Sequence, residues 1–156
     1  MYISGSEAFV FSTGFVETSK GGGKQVEETT WKSPAVEAAR QQLLAYFDGV
    51  LKAFSLPVQQ PGTDFQQKVW QQLMQIAYGE TVSYLDVAKR LGDPKVIRAA
   101  ASANGKNNLA IIIPCHRVVG KNGALTGYAG DLWRKRWLLE HEQKHGHLPV
   151  QLSVFG

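Results

Sequence analysis

Only one of the 156 residues is a cysteine, Cys115. That excludes an internal disulfide framework and any cysteine-rich zinc site, and it fits a reducing, cytoplasmic setting. No apolar run reaches the roughly 20 residues needed to span a membrane, and Met1-Tyr2-Ile3-Ser4-Gly5 lacks the basic start and apolar stretch of a signal peptide. A membrane role is therefore not expected. There is no glycine-rich phosphate loop, no S-adenosylmethionine-type pattern and no cluster of metal ligands, so neither cofactor nor metal is expected. His141, His145 and His147 gather near one helix end, where histidines are ordinarily solvated. Internal repeats are absent too. Charge of one sign is not extreme: the net charge is +4. It is uneven, however. From Gly62 onward 12 Lys/Arg face 7 Asp/Glu, whereas before it 5 face 6, so the cations gather in the second half, as a polyanion-binding surface requires.

Turn and cap signals divide the chain at about residue 61. The first part, 1–61, reads as β segments at Glu7–Phe11 and Gly14–Glu17, a flexible Gly21-Gly22-Gly23 tip, and one helix. Ser33-Pro34 opens that helix, Val36, Ala39, Leu43, Leu44 and Phe47 line it, and Gly49 closes it. Pro57, Pro61 and Gly62 mark a linker. In the second part, 62–156, Thr63 with Gln66 forms a capping box, and Phe65, Val69, Leu73 and Ile76 share a helical face up to Gly79. Ser83 with Asp86 is a second capping box, opening a short helix that stops at Gly92. Asp93-Pro94 starts a third, from Lys95 to Ala103. Leu109–Ile113 reads as an apolar strand, Lys121-Asn122-Gly123 as a turn, and a last helix begins near Asp131. The expected fold class is α/β in the α+β sense: a small β/α domain, then a mostly helical domain with a helix-turn-helix and a cysteine loop.

Chemistry concentrates at Pro114-Cys115-His116-Arg117. A lone cysteine is most often a small buried hydrophobe. Here an imidazole that can take a thiol proton near neutral pH stands next to it, and a proline fixes the backbone ahead of it. Adjacent residues on an extended chain face opposite ways, so the pair must lie on a bend to cooperate. In the helix-turn-helix, Arg98 precedes Ala99-Ala100-Ala101-Ser102-Ala103. Such short side chains cannot reach base edges in a major groove, but they allow close approach to a backbone or minor groove, with one long cation aimed into the stack.

These residues resemble the O6-alkylguanine-DNA alkyltransferases. The similarity lies in Ile113-Pro114-Cys115-His116-Arg117-Val118-Val119-Gly120, Gly79-Glu80-Thr81-Val82-Ser83-Tyr84, Arg98-Ala99-Ala100-Ala101, Asn104-Gly105-Lys106-Asn107, Gly127-Tyr128-Ala129-Gly130 and Trp137-Leu138-Leu139-Glu140-His141-Glu142. The resemblance implies a variable domain over 1–61, a DNA-binding alkyltransferase domain over 62–156, and irreversible transfer of the alkyl group from guanine O6 to Cys115. His116 would take the thiol proton through a water, Glu142 would hold the imidazolium, and Tyr84 would donate toward guanine N3. Arg98 would fill the gap of the flipped nucleotide, with Ala99, Ala100 and Ser102 against the DNA. Asn107 would be a hinge, the Val118 carbonyl would read the guanine amine, and Tyr128 and Ala129 would wall the pocket, an Ala129 N–H lying near O6. The partner would be double-stranded DNA containing O6-alkylguanine, and the protein a monomer that acts once.

The chain departs from the family pattern twice. Asn108 stands where proline is common, which loosens the hinge, and Ala129 stands where serine is frequent. Three rival readings remain on the residues alone: a lesion sensor that binds without transfer, a helix-turn-helix transcription factor, and a cysteine hydrolase with a Cys-His-Glu site. Glu142 has support independent of the resemblance, because it follows Leu138 and Leu139 on an inward helical face where a carboxylate needs a partner.

Overall fold

The computed structural model of the protein describes residues 1–16, 33–128 and 131–146. Gly21–Gly23, Ala129 and His147 lie outside the described residues. The chain forms two compact units, Met1–Pro61 with Asn108–Ile112, and Gly62–Asn107 with Ile113 onward.

In the first unit β1 (Tyr2–Gly5) pairs antiparallel with β2 (Val10–Gly14). The strand expected at residue 7 begins only at Val10. Ser6 reverses the chain instead: its backbone N–H donates to the Phe9 carbonyl, and its hydroxyl accepts from the Ala8 and Phe9 N–H groups. On its other edge β2 meets two short parallel pieces, bridging Val10 to Val58 and Thr13 to Leu109. Helix α1 (Pro34–Phe47) packs on the hairpin, and Ser33 caps it by accepting from the Val36 N–H at 3.1 Å. Its inward stripe Ala35, Ala39, Leu43 and Tyr46 is buried, as is Val10.

The second unit follows the cap signals closely. Helices α2 (Asp64–Leu73) and α3 (Tyr84–Arg90) both start with complete capping boxes, Thr63 with Gln66 and Ser83 with Asp86. Helix α2 stops at Leu73, earlier than its apolar pattern suggested, and Ile76 is buried from the turn beyond. Pro94–Val96 forms a 3₁₀ turn, and α4 (Ile97–Gly105) completes a helix-turn-helix by packing on α2 and α3. Helix α4 also contains Asn104 and Gly105, and the indole N–H of buried Trp70 donates to the Ala103 carbonyl near its end, at 2.9 Å. The final helix α5 (Leu132–Gly146) buries Lys135, Leu138, His141 and Glu142 on one side and exposes Trp133 and Trp137 on the other.

Leu109–Ile113 is not a strand. Leu109 makes a single bridge, residues 110–112 turn, and Ile111 sits at φ 72°. Every residue from Leu109 to Val119 except Ala110 is buried, so the apolar run records burial on all sides rather than a strand period. The strand next to the cysteine is instead β4 (Val118–Val119). It runs parallel to β3 (Val82–Ser83), with Val82 opposite Val118 and Ser83 opposite Val119.

Candidate active site

Cys115, His116 and Arg117 form one 3₁₀ turn, and all three are buried. Pro114 sets up the bend: the Cys115 N–H donates to the Ile113 carbonyl at 2.8 Å and the Arg117 N–H to the Pro114 carbonyl at 3.0 Å. A tight turn is the condition that lets neighbouring side chains work together. Two polar side chains from α4 and its end reach the same turn. Asn107 Nδ2 donates to the Ile113 carbonyl at 2.9 Å, and Asn104 Nδ2 lies 3.5 Å from the Cys115 carbonyl.

His116 is fully buried, and its Nε2 lies 2.7 Å from Glu142 Oε1. Glu142 is fully buried as well and carries Arg117 in a fork, with Nε to Oε2 and Nη2 to Oε1, both at 2.9 Å. The third guanidinium arm donates to the Ile76 carbonyl at 2.7 Å, and the Gly79 N–H donates to Glu142 Oε2 at 3.3 Å. Gly79 has φ 80°, a backbone state in which an L side chain is strained. Burial by itself would raise the Glu142 pKa. Hydrogen bonds from His116 and Arg117, with their charges, pull it down to about 2 instead. The carboxylate is therefore ionised, Nε2 carries the proton it shares with Oε1, and the imidazole lone pair is at Nδ1. That Nδ1 is buried and has no protein hydrogen-bond partner.

Burial pushes the Cys115 thiol up and the His116 imidazole down, so both rest uncharged near neutrality. The Asn107 side chain and the charge of Lys135 oppose the rise at the thiol. Lys135 is fully buried, and its ammonium is met by backbone carbonyls. It donates to the Val118 carbonyl at 2.6 Å and to the Thr126 carbonyl at 2.9 Å. Its own pKa is lowered by burial and held up in part by Cys115.

Tyr84 follows directly on β3, next to Ser83, which lies opposite Val119 in the β3–β4 pair. Its hydroxyl donates to the Thr126 carbonyl at 3.2 Å, and burial raises its pKa. Burial also raises the Tyr128 phenol, on which Cys115 acts as well. Gly127, at φ 55°, would place a Cβ 3.6 Å from the Tyr84 hydroxyl. Arg98, Ala99 and Ser102 are exposed on one side of α4. Ala100 is not: it is 1 % exposed, because the α4 periodicity turns it inward with Ala103, so its side chain faces the core rather than DNA. The Ala129 assignment lies outside the described residues.

Sequence reasoning missed Arg117 and Lys135 as site residues. Arg117 had been read only as part of a motif. Lys135 stands seven residues before Glu142, on the stripe that carries Leu138, and that spacing is the signal that could have exposed it. Among the described residues no group of three or more His, Cys, Asp or Glu side chains could hold a metal ion.

Comparison with known proteins agrees with this geometry. The family model for the DNA binding domain of 6-O-methylguanine DNA methyltransferase matches residues 64–144. The constitutive methylated-DNA–protein-cysteine methyltransferase of Bacillus subtilis is 57% identical over 107 residues, which span 68% of this chain and 65% of that one. The Mycobacterium tuberculosis methylated-DNA–protein-cysteine methyltransferase is 50% identical over 121 residues, 78% of this chain and 72% of that one. The crystal structure of Mycobacterium tuberculosis OGT in complex with DNA superposes with a TM-score of 0.79 at 42% identity, covering 92% of this chain and 86% of that one. With a family model matched over more than half of its length and a relative 50% identical over most of both chains, this chain belongs to the O6-alkylguanine-DNA alkyltransferase family.

Proposed function

We propose that this chain repairs DNA by moving the alkyl group of O6-alkylguanine onto Cys115 Sγ, once per molecule and irreversibly. The observation that carries the reading is the buried 2.7 Å contact between His116 Nε2 and Glu142 Oε1, which turns the basic nitrogen Nδ1 of His116 free for the thiol one residue away. The resting thiol is protonated because burial raises its pKa, so transfer needs that base. The Cys115 proton passes to His116 Nδ1 through a water as Sγ forms a bond to the alkyl carbon. The bond from that carbon to O6 breaks, and its electron pair stays on the purine. Tyr84, donating its hydroxyl proton toward the ring, stabilises that charge after giving up the Thr126 carbonyl. The proton held on His116 then neutralises the departing guanine. Glu142 and Arg117 need not move, which keeps reorganisation small.

A reacting atom inside a duplex is out of reach, so the damaged nucleotide is extruded. Exposed Arg98 fills its place in the stack, and Ala99 and Ser102 allow α4 to approach the minor groove closely. Val118 reads the guanine amine through its carbonyl, which Lys135 already orients, and Tyr128 walls the pocket. We read residues 62–156 as the alkyltransferase domain and residues 1–61 as its support, acting as a monomer in the cytoplasm on double-stranded DNA. No helix among the described residues is long and apolar enough to cross a membrane. The thioether is stable and the chain has no second cysteine to take the alkyl group on, so the product is dead protein.

Intact mass after incubation with a duplex holding one O6-methylguanine tests the reading. A gain of one methyl, ending at one per protein and mapped to Cys115, is expected, and Cys115→Ala should bind the duplex without gaining mass. Binding by the wild type with no mass change would replace transfer with lesion sensing.

A further inference from the structure

The first unit holds the segment that leads into the cysteine turn, and it does so with buried polar side chains. One edge of β2 is shared end to end by two chain pieces. Residues 57–59 pair at Val10, where the Val10 N–H donates to the Pro57 carbonyl at 2.8 Å and the Gln59 N–H to the Val10 carbonyl at 3.0 Å. Residues 108–110 pair at Thr13, where the Thr13 N–H donates to the Asn108 carbonyl at 2.9 Å and the Ala110 N–H to the Thr13 carbonyl at 3.2 Å. Thr13 is 2% exposed, and its hydroxyl adds a third bond, donating to the Ala110 carbonyl at 2.7 Å. Gln60, 7% exposed, stands where the two pieces meet, and its Oε1 accepts the Asn108 N–H at 2.9 Å. A proline at position 108 would have no such N–H to satisfy. Asn108 has one, and Gln60 takes it.

What is held is strained. Ile111 is β-branched, buried and at φ 72°, a state such residues adopt only when their surroundings impose it. On either side the segment continues covalently into Asn107 and Ile113, and those two residues are joined by the Asn107 Nδ2 to Ile113 carbonyl bond that frames the Cys115 turn.

We propose that Gln60 and Thr13 are positioning residues for alkyl transfer: they clamp residues 108–112 in the strained form that sets Asn107 and Ile113 at the cysteine turn. They act through that segment and touch no reacting atom. Releasing either bond lets Ile111 relax, and the ends of the segment shift with it. The inference rests on transfer to Cys115 as the reaction. The Asn107 side chain also holds the Cys115 thiol down against the effect of burial, so a displaced Asn107 is readable at the thiol without DNA.

The test follows single-turnover transfer from an O6-methylguanine duplex, together with the pH dependence of Cys115 labelling by iodoacetamide in the absence of DNA. Gln60→Leu leaves the Asn108 N–H without its protein acceptor. It should slow transfer roughly tenfold and move the labelling midpoint to higher pH, with duplex affinity unchanged. Adding Asn108→Pro removes that N–H and should return both readings toward wild type. Thr13→Val keeps the side-chain shape, loses the hydroxyl bond, and should shift both in the same direction. A merely structural role would lower thermal stability, leave the labelling midpoint alone and show no rescue by proline. The proposal is overturned by Gln60→Leu at wild-type rate and midpoint, or by a deficit that Asn108→Pro does not relieve. If Gln60→Leu does not fold, the double variant and Thr13→Val decide, and an unmoved midpoint in Thr13→Val overturns the clamp. A wild type that takes up no methyl would sink the transfer reading instead, while the labelling arm still reports on the clamp.

Discussion

Replacing Glu142 by glutamine tests the site where its energy is concentrated. The substitution keeps shape and one oxygen but removes the charge that the buried Arg117 fork and the His116 ring both face. Breaking a buried pair while leaving its cation in place costs about 3–5 kcal/mol. An independent route gives a similar size. The Glu142 pKa falls from an ordinary 4.5 to about 2 on folding, and 2.5 units correspond to about 3 kcal/mol. A depressed carboxylate stabilises the fold above its unfolded pKa and loses that contribution as pH falls through the folded one. Stability owed to Glu142 is therefore complete above about pH 5 and should have dropped by about 1 kcal/mol at pH 3.5. His116 adds acid sensitivity at higher pH. Its folded pKa lies below the ordinary 6.5, so the neutral buried ring loses stabilising effect as pH falls below 6.5. Glu142→Gln retains that loss. Urea denaturation from pH 3.5 to 8, read by tryptophan fluorescence, should show a gap between wild type and variant that is level above pH 5 and narrows below it. Transfer should fall about a hundredfold in the variant, since the imidazolium forms without its counter-charge. A gap that stays constant down to pH 3.5, or a variant as stable as wild type, would refute the assignment.

Lys135→Met should leave the Val118 and Thr126 carbonyls without their donor and raise the thiol pKa. Transfer would slow by about tenfold or more, and the iodoacetamide labelling midpoint of Cys115 would move to higher pH. Tyr84→Phe removes one partly exposed hydrogen bond. It should cost about 1 kcal/mol of stability or less while slowing transfer from duplex and from free O6-methylguanine alike, and a duplex-only defect would contradict its role at the base. Arg98→Ala should slow repair in duplex more than reaction with free O6-methylguanine, measured by methyl uptake on each substrate, because its place is the vacated stack; equal losses would rule that out. Duplex binding by the wild type should weaken steeply with added salt in a titration, as phosphate contacts release counterions.

Most of the second unit could be read from the chain because its signals are local. Thr63 with Gln66 and Ser83 with Asp86 announce helix starts whatever the rest of the fold does, and both boxes form. Cys115 and His116 could be singled out by their adjacency, and Glu142 through the family resemblance, with its inward stripe in support. Non-local partners were harder to see. The Leu109–Ile113 run looked like a strand because burial from all sides erases periodicity, and only the partner Thr13, 97 residues away from Ala110, makes it a clamped turn. Lys135 is invisible to any rule that keeps lysine outside, because what admits it is a pair of backbone carbonyls contributed by Val118 and Thr126. Gln60 looked like linker for the same reason: its partner is a backbone N–H almost fifty residues on.

The two uncharged groups at the centre make chemical sense of the charges around them. A thiolate exposed at rest would react with any small electrophile, and on the proposed function, in which the protein acts once, the molecule would be wasted by it. Burial that raises the thiol and lowers the imidazole keeps the pair neutral until a substrate makes charge separation worthwhile. The same burial would make that separation prohibitively costly if nothing were arranged to meet it. In the proposed reaction Glu142, already ionised and fixed by Arg117 and Gly79, meets the imidazolium. Lys135 and Asn107, which oppose the rise of the thiol, would meet the charge on sulfur in that reaction. Selectivity and rate then arise from one design: low polarity suppresses the reaction without substrate, and preset dipoles and charges lower the barrier once it is bound. Such an arrangement depends on the turn being held within a fraction of an ångström, since misplacement of about 1 Å can cost about 100-fold in rate. A strained Ile111, kept in place by Thr13 and Gln60, is a reasonable cost for that accuracy.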